Sequence, residues 1–70
     1  MKKYNLAKLS IRVKKLREQA GLSREMLAKQ AKVNYNTIIK IESGANKNPT
    51  IKTLISLAQV FKKSIEDFLV

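Results

Sequence analysis

The sequence contains no cysteine and no histidine. Without cysteine, the chain has no disulfide, no thiolate metal site and no cysteine nucleophile. Without histidine, it lacks the most common general base and metal ligand. Acidic residues are few, and no two of them lie three or four positions apart: they are Glu18, Glu25, Glu42, Glu66 and Asp67. We therefore predict that the protein is not an enzyme and that it holds no metal or cofactor.

Long apolar runs are also absent. No stretch approaches the roughly 20 apolar residues that a transmembrane helix needs. Lys2 and Lys3 are not followed by the apolar segment of a signal peptide. A length of 70 residues suffices for one small domain. We therefore expect residues 1–70 to form a single domain in the cytoplasm, with no membrane association.

Positive charge is what the sequence has in excess. Fifteen Lys and Arg against five Asp and Glu give a net charge of +10. Residues 1–35 contribute +8, from ten basic and two acidic residues, and residues 36–70 contribute +2, from five and three. This asymmetry favours a polyanionic partner on one side of the molecule. The alternative is that lysine only maintains solubility, since three of the fifteen basic residues are arginine.

The spacing of apolar residues predicts five helices and no strand. The first follows a possible N-cap at Asn5 and ends before Gly21. A polar loop that contains the only proline precedes a fourth helix, which Thr50 begins. Ser64 begins the fifth, and Asp67 completes its capping box. The predicted apolar faces of these three helices are Leu6, Leu9, Val13, Leu16 and Ala20; Ile51, Leu54, Leu57, Ala58 and Phe61; and Ile65, Phe68 and Leu69.

Residues 22–44, LSREMLAKQAKVNYNTIIKIESG, predict two further short helices joined by a tight turn. Ser23 and Asn34 are candidate N-caps, and Gly44 suits the end of the second helix. The two apolar stripes are too short to be buried alone, so they must pack on each other, and the small Ala28 allows a close approach. This is the geometry of a helix-turn-helix. The stripes are Leu22, Leu27, Ala28 and Ala31, and Val33, Ile38 and Ile41; the opposite face of the second helix is Tyr35, Asn36, Ile39 and Lys40.

An ordered set of motifs between Arg12 and Leu69 resembles the Cro/phage-repressor (XRE-type) helix-turn-helix family. The set covers about four-fifths of the chain in register: Arg12-Val13-Lys14-Lys15-Leu16-Arg17, Gly21-Leu22-Ser23, Leu27-Ala28, Ile38, Ile41-Glu42-Ser43-Gly44, Pro49, Leu54, Leu57-Ala58 and Ser64-Ile65-Glu66-Asp67-Phe68-Leu69. The resemblance implies an all-α fold, a compact five-helix bundle of the lambda-repressor-like DNA-binding type.

Two positions depart from the family pattern. Lys32 stands where the family commonly has glycine in the turn between the second and third helices. Lys62 and Lys63 stand where it often has Gly-Val before the fifth. If Lys32 adopts a positive φ, this costs about 1 kcal/mol relative to glycine.

The resemblance also implies roles for individual residues. Arg17 and Glu42 match a structural ion pair between the first and third helices, the alternative being a phosphate contact by Arg17. Ten further residues match family positions that contact DNA bases or phosphates. For each of them, the alternative is a purely structural role or simple solvation. The base-readout set is Arg24, Tyr35, Asn36, Ile39 and Lys40, and the phosphate set is Ser23, Thr37, Lys47, Asn48 and Thr50.

Several apolar residues near the C-terminus are the least required by a monomer core. We expect them to form a homodimer interface, because an exposed apolar patch on a small domain commonly marks a partner surface. The alternative is a monomer whose C-terminal side chains complete its own core. These residues are Val60, Ile65, Phe68 and Val70.

The sequence predicts a transcriptional regulator that binds double-stranded DNA sequence-specifically. Residues 34–42 would lie in the major groove, and two copies would bind the half-sites of a palindromic operator about 34–36 Å apart. The alternative is an antitoxin-like or partner-protein-binding module whose DNA binding is secondary. A third possibility, non-specific binding of RNA or an anionic membrane, does not explain the shared polar face of the third helix. No small-molecule ligand is evident.

Overall fold

A computed structural model describes residues 8–69 of the chain, without the side chains of Phe68 and Leu69. Its helices are α1 (Leu9–Gln19), α2 (Arg24–Ala31), α3 (Tyr35–Ser43), α4 (Ile51–Phe61) and α5 (Glu66–Leu69). No β-strand occurs among these described residues. The predicted all-α class is therefore confirmed, with four helices of at least eight residues and a fifth that is a single turn.

Side-chain caps determine where three of the helices begin. Ser23, Asn34 and Thr50 precede α2, α3 and α4, as the sequence predicts. Their side-chain oxygens accept hydrogen bonds from the backbone N–H groups of Met26, Asn36 and Thr53, at 3.0, 2.8 and 3.1 Å. Each bond satisfies a donor that has no partner within its own helix. The predicted cap of α1, Asn5, lies outside the described residues.

The fifth helix begins at Glu66, one residue later than a cap at Ser64 predicts, and has four residues. Ser64 donates hydrogen bonds to Oδ2 of Asp67 from its backbone N–H at 2.9 Å and from its hydroxyl at 3.2 Å. The backbone N–H of Asp67 in turn donates to the Ser64 carbonyl oxygen, at 3.1 Å. Half of the predicted capping box is therefore present, because the carboxylate accepts from Ser64 while the Ser64 hydroxyl does not cap a backbone N–H.

Left-handed residues end α2, α3 and α4. Gly44 follows α3 with φ 83°, which glycine adopts without steric conflict. Lys32 follows α2 with φ 57° and Lys62 follows α4 with φ 56°, the only non-glycine residues with positive φ in the described chain. The two lysines that replace family glycines therefore both adopt the conformation that glycine favours.

The core lies where α2 packs on α3 and α4 and where α1 packs on α3 and α5. All its fully enclosed side chains are aliphatic, and Arg17 is the one buried charged residue in the described part of the chain. The core residues are Leu9, Val13, Leu27, Ala28, Ala31, Ile38, Ile41, Leu54, Leu57 and Ala58.

Two residues predicted on apolar faces are exposed instead. Ile51 is the first residue of α4 and is 63% exposed. A helical side chain leans towards the N-terminus, so from this position it projects beyond the neighbouring helices. Ala20 is also exposed, because α1 ends at Gln19 and Ala20 is its C-cap. The apolar periodicity therefore fails at these two helix ends, although Leu9 and Ala31, at the start of α1 and the end of α2, are buried as predicted.

Candidate nucleic-acid interface

Helix α3 has one face in the core and the other in solvent. Ile38 and Ile41 are fully buried, whereas Tyr35, Asn36 and Lys40 are exposed. The Asn34 cap at the helix start fixes the first turn, so the exposed residues project from a rigid support. The remaining two predicted contact residues, Thr37 and Ile39, are half-buried at the edges of this face. The structure thus brings the predicted α3 residues onto one accessible surface.

An ion pair holds α3 against α1 behind that surface. Nε of Arg17 donates to Oε2 of Glu42 at 2.7 Å, and Nη2 donates to Oε1 at 3.2 Å. The Arg17 side chain is only 10% exposed and the Glu42 side chain 2%. Nη1 of Arg17 donates to the carbonyl oxygen of Leu22 at 2.8 Å, so all three guanidinium nitrogens have partners. This arrangement favours the structural role over a phosphate contact by Arg17.

The same pair reinforces the positive charge that Arg17, like any arginine, carries at working pH. The hydrogen bond to Glu42 raises the pKa of Arg17 above its ordinary value, although burial acts in the opposite direction. Arg17 therefore remains protonated at every working pH. The buried carboxylate of Glu42 always faces a positive charge.

A second arginine shares the carboxylate of Glu42, a contact that no pattern in the sequence indicates. Nε of Arg24 donates to Oε1 of Glu42 at 3.1 Å, and the Arg24 side chain is 43% exposed. Arg24, predicted to contact DNA, is therefore tied to the pair that supports α3. Family resemblance related Arg17 to Glu42, but no spacing rule relates Arg24 to Glu42 across 18 residues.

Lys14 is a further basic residue at this surface, and it is absent from the contact residues predicted from the sequence. It lines a shallow cleft with Arg24, Ile39, Glu42 and Ser43. Lys14 precedes Arg17 by three residues on α1, so both lie on the same side of that helix. Because Arg17 pairs with Glu42 of α3, this spacing alone predicts that Lys14 also lies near α3.

Apart from Thr37, which lies within α3, the predicted phosphate-contact residues occupy two helix starts and one loop. The hydroxyl oxygens of Ser23 and Thr50 are used as caps, and the Thr50 hydroxyl also donates to Oγ1 of Thr53 at 3.0 Å. Lys47 and Asn48 are exposed in the loop between α3 and α4. That loop is attached to α3 because the backbone N–H of Asn46 donates to the Lys40 carbonyl oxygen at 2.9 Å.

The predicted dimer residues are only partly accessible. Val60 and Ile65 are half-buried and pack on the core, and the Phe68 side chain and Val70 lie outside the described residues. The large apolar side chains that are more exposed lie elsewhere, including Ile51 and Ile55, one turn apart on α4.

Other kinds of site find no support in the described residues. No group of three or more acidic, histidine or cysteine residues in this part of the chain is arranged to hold a metal ion. No helix within residues 8–69 has the length and apolar character that crossing a membrane requires.

Comparisons with known proteins agree on the kind of domain. A family described as helix-turn-helix matches residues 13–68. An uncharacterized HTH-type transcriptional regulator from Archaeoglobus fulgidus is 36% identical over 59 residues, covering 84% of this chain and 82% of the relative.

Two solved structures are similar to the fold. The N-terminal DNA-binding domain of SinR from Bacillus subtilis superposes with a TM-score of 0.85 at 28% identity, covering 87% of this chain and 88% of that one. The biofilm master regulator SinR in complex with DNA gives a TM-score of 0.80 at 29% identity, over 83% and 92% of the two chains.

Proposed function

The chain belongs to the helix-turn-helix family, and we propose that it is a regulator whose helix α3 reads an operator in the DNA major groove. The Cro/phage-repressor (XRE-type) resemblance is confirmed by the family match and by the HTH-type regulators among its relatives. The protein is a DNA-binding transcriptional regulator and not an enzyme. We propose the DNA groove that it occupies, the residues that contact DNA and the oligomeric state in which it binds. We also propose that it is located in the cytoplasm.

The observation that carries the proposal is the two-sided character of α3. Its apolar side is fixed by Ile38, Ile41 and the Arg17–Glu42 pair, and its other side presents polar residues to solvent. A helix held this way fits the major groove, where amides and basic side chains distinguish base pairs. We propose base contacts by Arg24, Tyr35, Asn36, Ile39 and Lys40.

Contacts to the DNA backbone would come from Thr37 of α3 and from residues on either side of that helix. The start of α2 and the loop before α4 flank that helix in the chain, and a helix start offers N–H groups and a favourable dipole to a phosphate. We propose phosphate contacts by Ser23, Thr37, Lys47, Asn48 and Thr50. Because the Thr50 hydroxyl bonds to Thr53, its contact would use the backbone N–H or require the hydroxyl to rotate.

Salt dependence tests the electrostatic part of this proposal. Phosphate contacts release counterions, so affinity for DNA should fall steeply as salt rises. For about 6–10 contacts per dimer, we expect a loss of about 10³- to 10⁵-fold between 50 and 200 mM salt. Fluorescence anisotropy with labelled duplex measures this, with a mixed-sequence duplex and an RNA duplex as competitors. A nearly flat salt plot would remove DNA as the main partner.

We further propose that the protein acts as a two-fold homodimer on a palindromic operator. One copy of α3 contacts only a few base pairs, too few to select a site in a genome, so specificity needs two copies. The proposed interface is the C-terminal region around Val60, Ile65, Phe68 and Val70, with weak association that DNA strengthens.

Sedimentation with and without a palindromic duplex tests the assembly. We expect two protein chains per duplex at saturation and mostly monomer without DNA. A single chain per duplex at saturation would exclude the dimer. Val60→Lys should lower the occupancy of the second half-site, whereas Ile55→Lys serves as a matched control on the exposed side of the same helix.

A further inference from the structure

We propose that Glu42 is a positioning residue that holds Arg24 for the recognition of a guanine at the edge of each half-site. This inference rests on the proposed DNA readout and adds a base identity and a supporting residue to it. It follows from the carboxylate that Arg24 and Arg17 share, with Arg17 inside the protein and Arg24 at the surface.

The shared carboxylate is fixed before DNA arrives. The side chain of Glu42 is 2% exposed and is held through both of its oxygens by Arg17, which is itself anchored to the Leu22 carbonyl oxygen. Oε1 of Glu42 also accepts the hydrogen bond from Nε of Arg24. A surface arginine bound to an immobile acceptor has a defined direction, unlike one free in solvent. It therefore loses less rotamer freedom when it binds a base.

The particular nitrogen that Arg24 uses determines what it can offer to a ligand. An arginine has one donor edge formed by Nε and Nη2 and another formed by Nη1 and Nη2. Nε of Arg24 is directed to Glu42, and no other hydrogen bond of Arg24 occurs within the described residues. The terminal pair, Nη1 and Nη2, is left to face a ligand. Two parallel donors match O6 and N7 of guanine, the most common specific arginine contact in the major groove.

The two basic residues of this cleft differ in what they suit. Arg24 and Lys14 line the cleft together with Ile39 of α3. Lysine is a point charge that suits a phosphate without fixed geometry, whereas the planar fork of arginine gains from being oriented. The Glu42 carboxylate is already paired with the buried Arg17, so the two basic residues that line the cleft, Lys14 and Arg24, leave it with an excess of positive charge that attracts DNA. We therefore assign the guanine to Arg24 and the neighbouring backbone to Lys14.

Selection of bound sites from random duplexes tests the assignment. The wild-type chain should enrich guanine at one position of each half-site. Arg24→Gln removes the guanidinium and its two terminal donors, so it should lower that preference by about 5- to 150-fold while other positions stay selected. Lys14→Gln is the matched control from the same cleft. It should weaken all sequences alike and reduce the salt slope by about one, with the guanine preference intact.

Two measurements test the positioning role of Glu42. Glu42→Gln should reduce the guanine preference although Arg24 is unchanged, with circular dichroism showing whether the variant is folded. Because that variant can also unfold, NMR of the wild-type Arg24 Nε–H provides a second test without mutation. We expect its exchange with solvent to be slow. Exchange at the rate of an unprotected arginine would overturn the positioning role.

The other outcomes are equally distinct. If Arg24→Gln keeps the guanine preference and weakens every sequence uniformly, Arg24 contacts a phosphate and the assignment is wrong. If the wild type selects a sequence in which no position prefers guanine, the assignment also fails, but the proposed function stands. If the wild type selects no sequence at all, the proposed function itself fails.

Discussion

The helix-turn-helix segment, residues 24–43, and the C-terminal segment, residues 51–69, contain the same turn. In the first, Lys32 has φ 57° and ψ 41°, and in the second, Lys62 has φ 56° and ψ 42°. The N–H after each lysine donates to the carbonyl oxygen of Ala28 or Ala58, at 3.0 and 2.9 Å. These are Schellman-type helix ends, in which left-handed geometry satisfies carbonyls that the helix leaves unpaired.

The helix after the turn differs between the two segments. After Lys32, the nine residues of α3 bury Ile38 and Ile41 and hold Glu42 in an ion pair. After Lys62, α5 has four residues and is attached to α1, where Nη1 of Arg12 donates to the Asp67 carbonyl oxygen at 3.0 Å. The conformation of the turn therefore depends only on how the preceding helix ends. Burial and ion pairing determine how firmly the next helix is held, so only the helix of the first segment is held firmly enough to serve as the proposed recognition helix.

Local signals in the sequence explain why much of the fold could be predicted. Ser23, Asn34 and Thr50 are residues whose short polar side chains suit N-caps, and each caps a helix. Gly44 ends α3 in the left-handed conformation as predicted. These outcomes depend on a few neighbouring residues and therefore need no knowledge of tertiary structure.

The features that the sequence did not predict depend on contacts between distant parts of the chain. The exposure of Ile51 depends on how much of α4 the neighbouring helices cover, which apolar spacing does not encode. The bond from Arg24 to Glu42 requires α2 and α3 to cross at a particular angle. Family resemblance supplied one ion pair of this network, and only three-dimensional structure supplied the second.

Removing the carboxylate of Glu42 should produce the largest loss of stability. Glu42→Ala leaves the buried Arg17 without its main partner and also releases Arg24. Breaking a buried pair in this way costs about 3–5 kcal/mol, less where water reaches the remaining charge. This is a large share of the stability of a domain of this size. Urea unfolding followed by circular dichroism measures the loss.

The matched change in the C-terminal segment is Asp67→Ala. It removes an exposed capping carboxylate, for which we expect a loss of about 0.5–2 kcal/mol. Equal losses for the two variants would contradict the contrast between the segments. An unchanged melting temperature for Glu42→Ala would show that the ion pair is not formed in solution.

A smaller effect, on DNA affinity, should distinguish α3, the proposed recognition helix, from the loop that leads to the C-terminal segment. Asn36→Ala removes an exposed amide of α3, so affinity for the selected operator should fall by about 1–3 kcal/mol and preference at one base pair should relax. Lys47→Ala, in the loop, should weaken operator and mixed-sequence DNA alike and lower the salt slope by about one. Competition binding with both duplexes measures the difference. If the two variants behave interchangeably, the reading surface does not lie on α3.

The smallest expected effect compares the two turns directly. A left-handed conformation costs a non-glycine residue about 1–2 kcal/mol, and part of the gain from glycine is offset by its greater freedom in the unfolded chain. We therefore expect Lys32→Gly and Lys62→Gly each to stabilise the protein by about 0.5–1 kcal/mol, or roughly 2–8 °C in melting temperature. Lys29→Gly, inside α2, is the control and should destabilise by about 1 kcal/mol. Since the two turns have the same geometry, a gain at Lys32 without one at Lys62 would mean that the C-terminal turn contributes nothing to the cooperative unit that unfolds. The difference between the two segments would then extend from their helices to the turn itself.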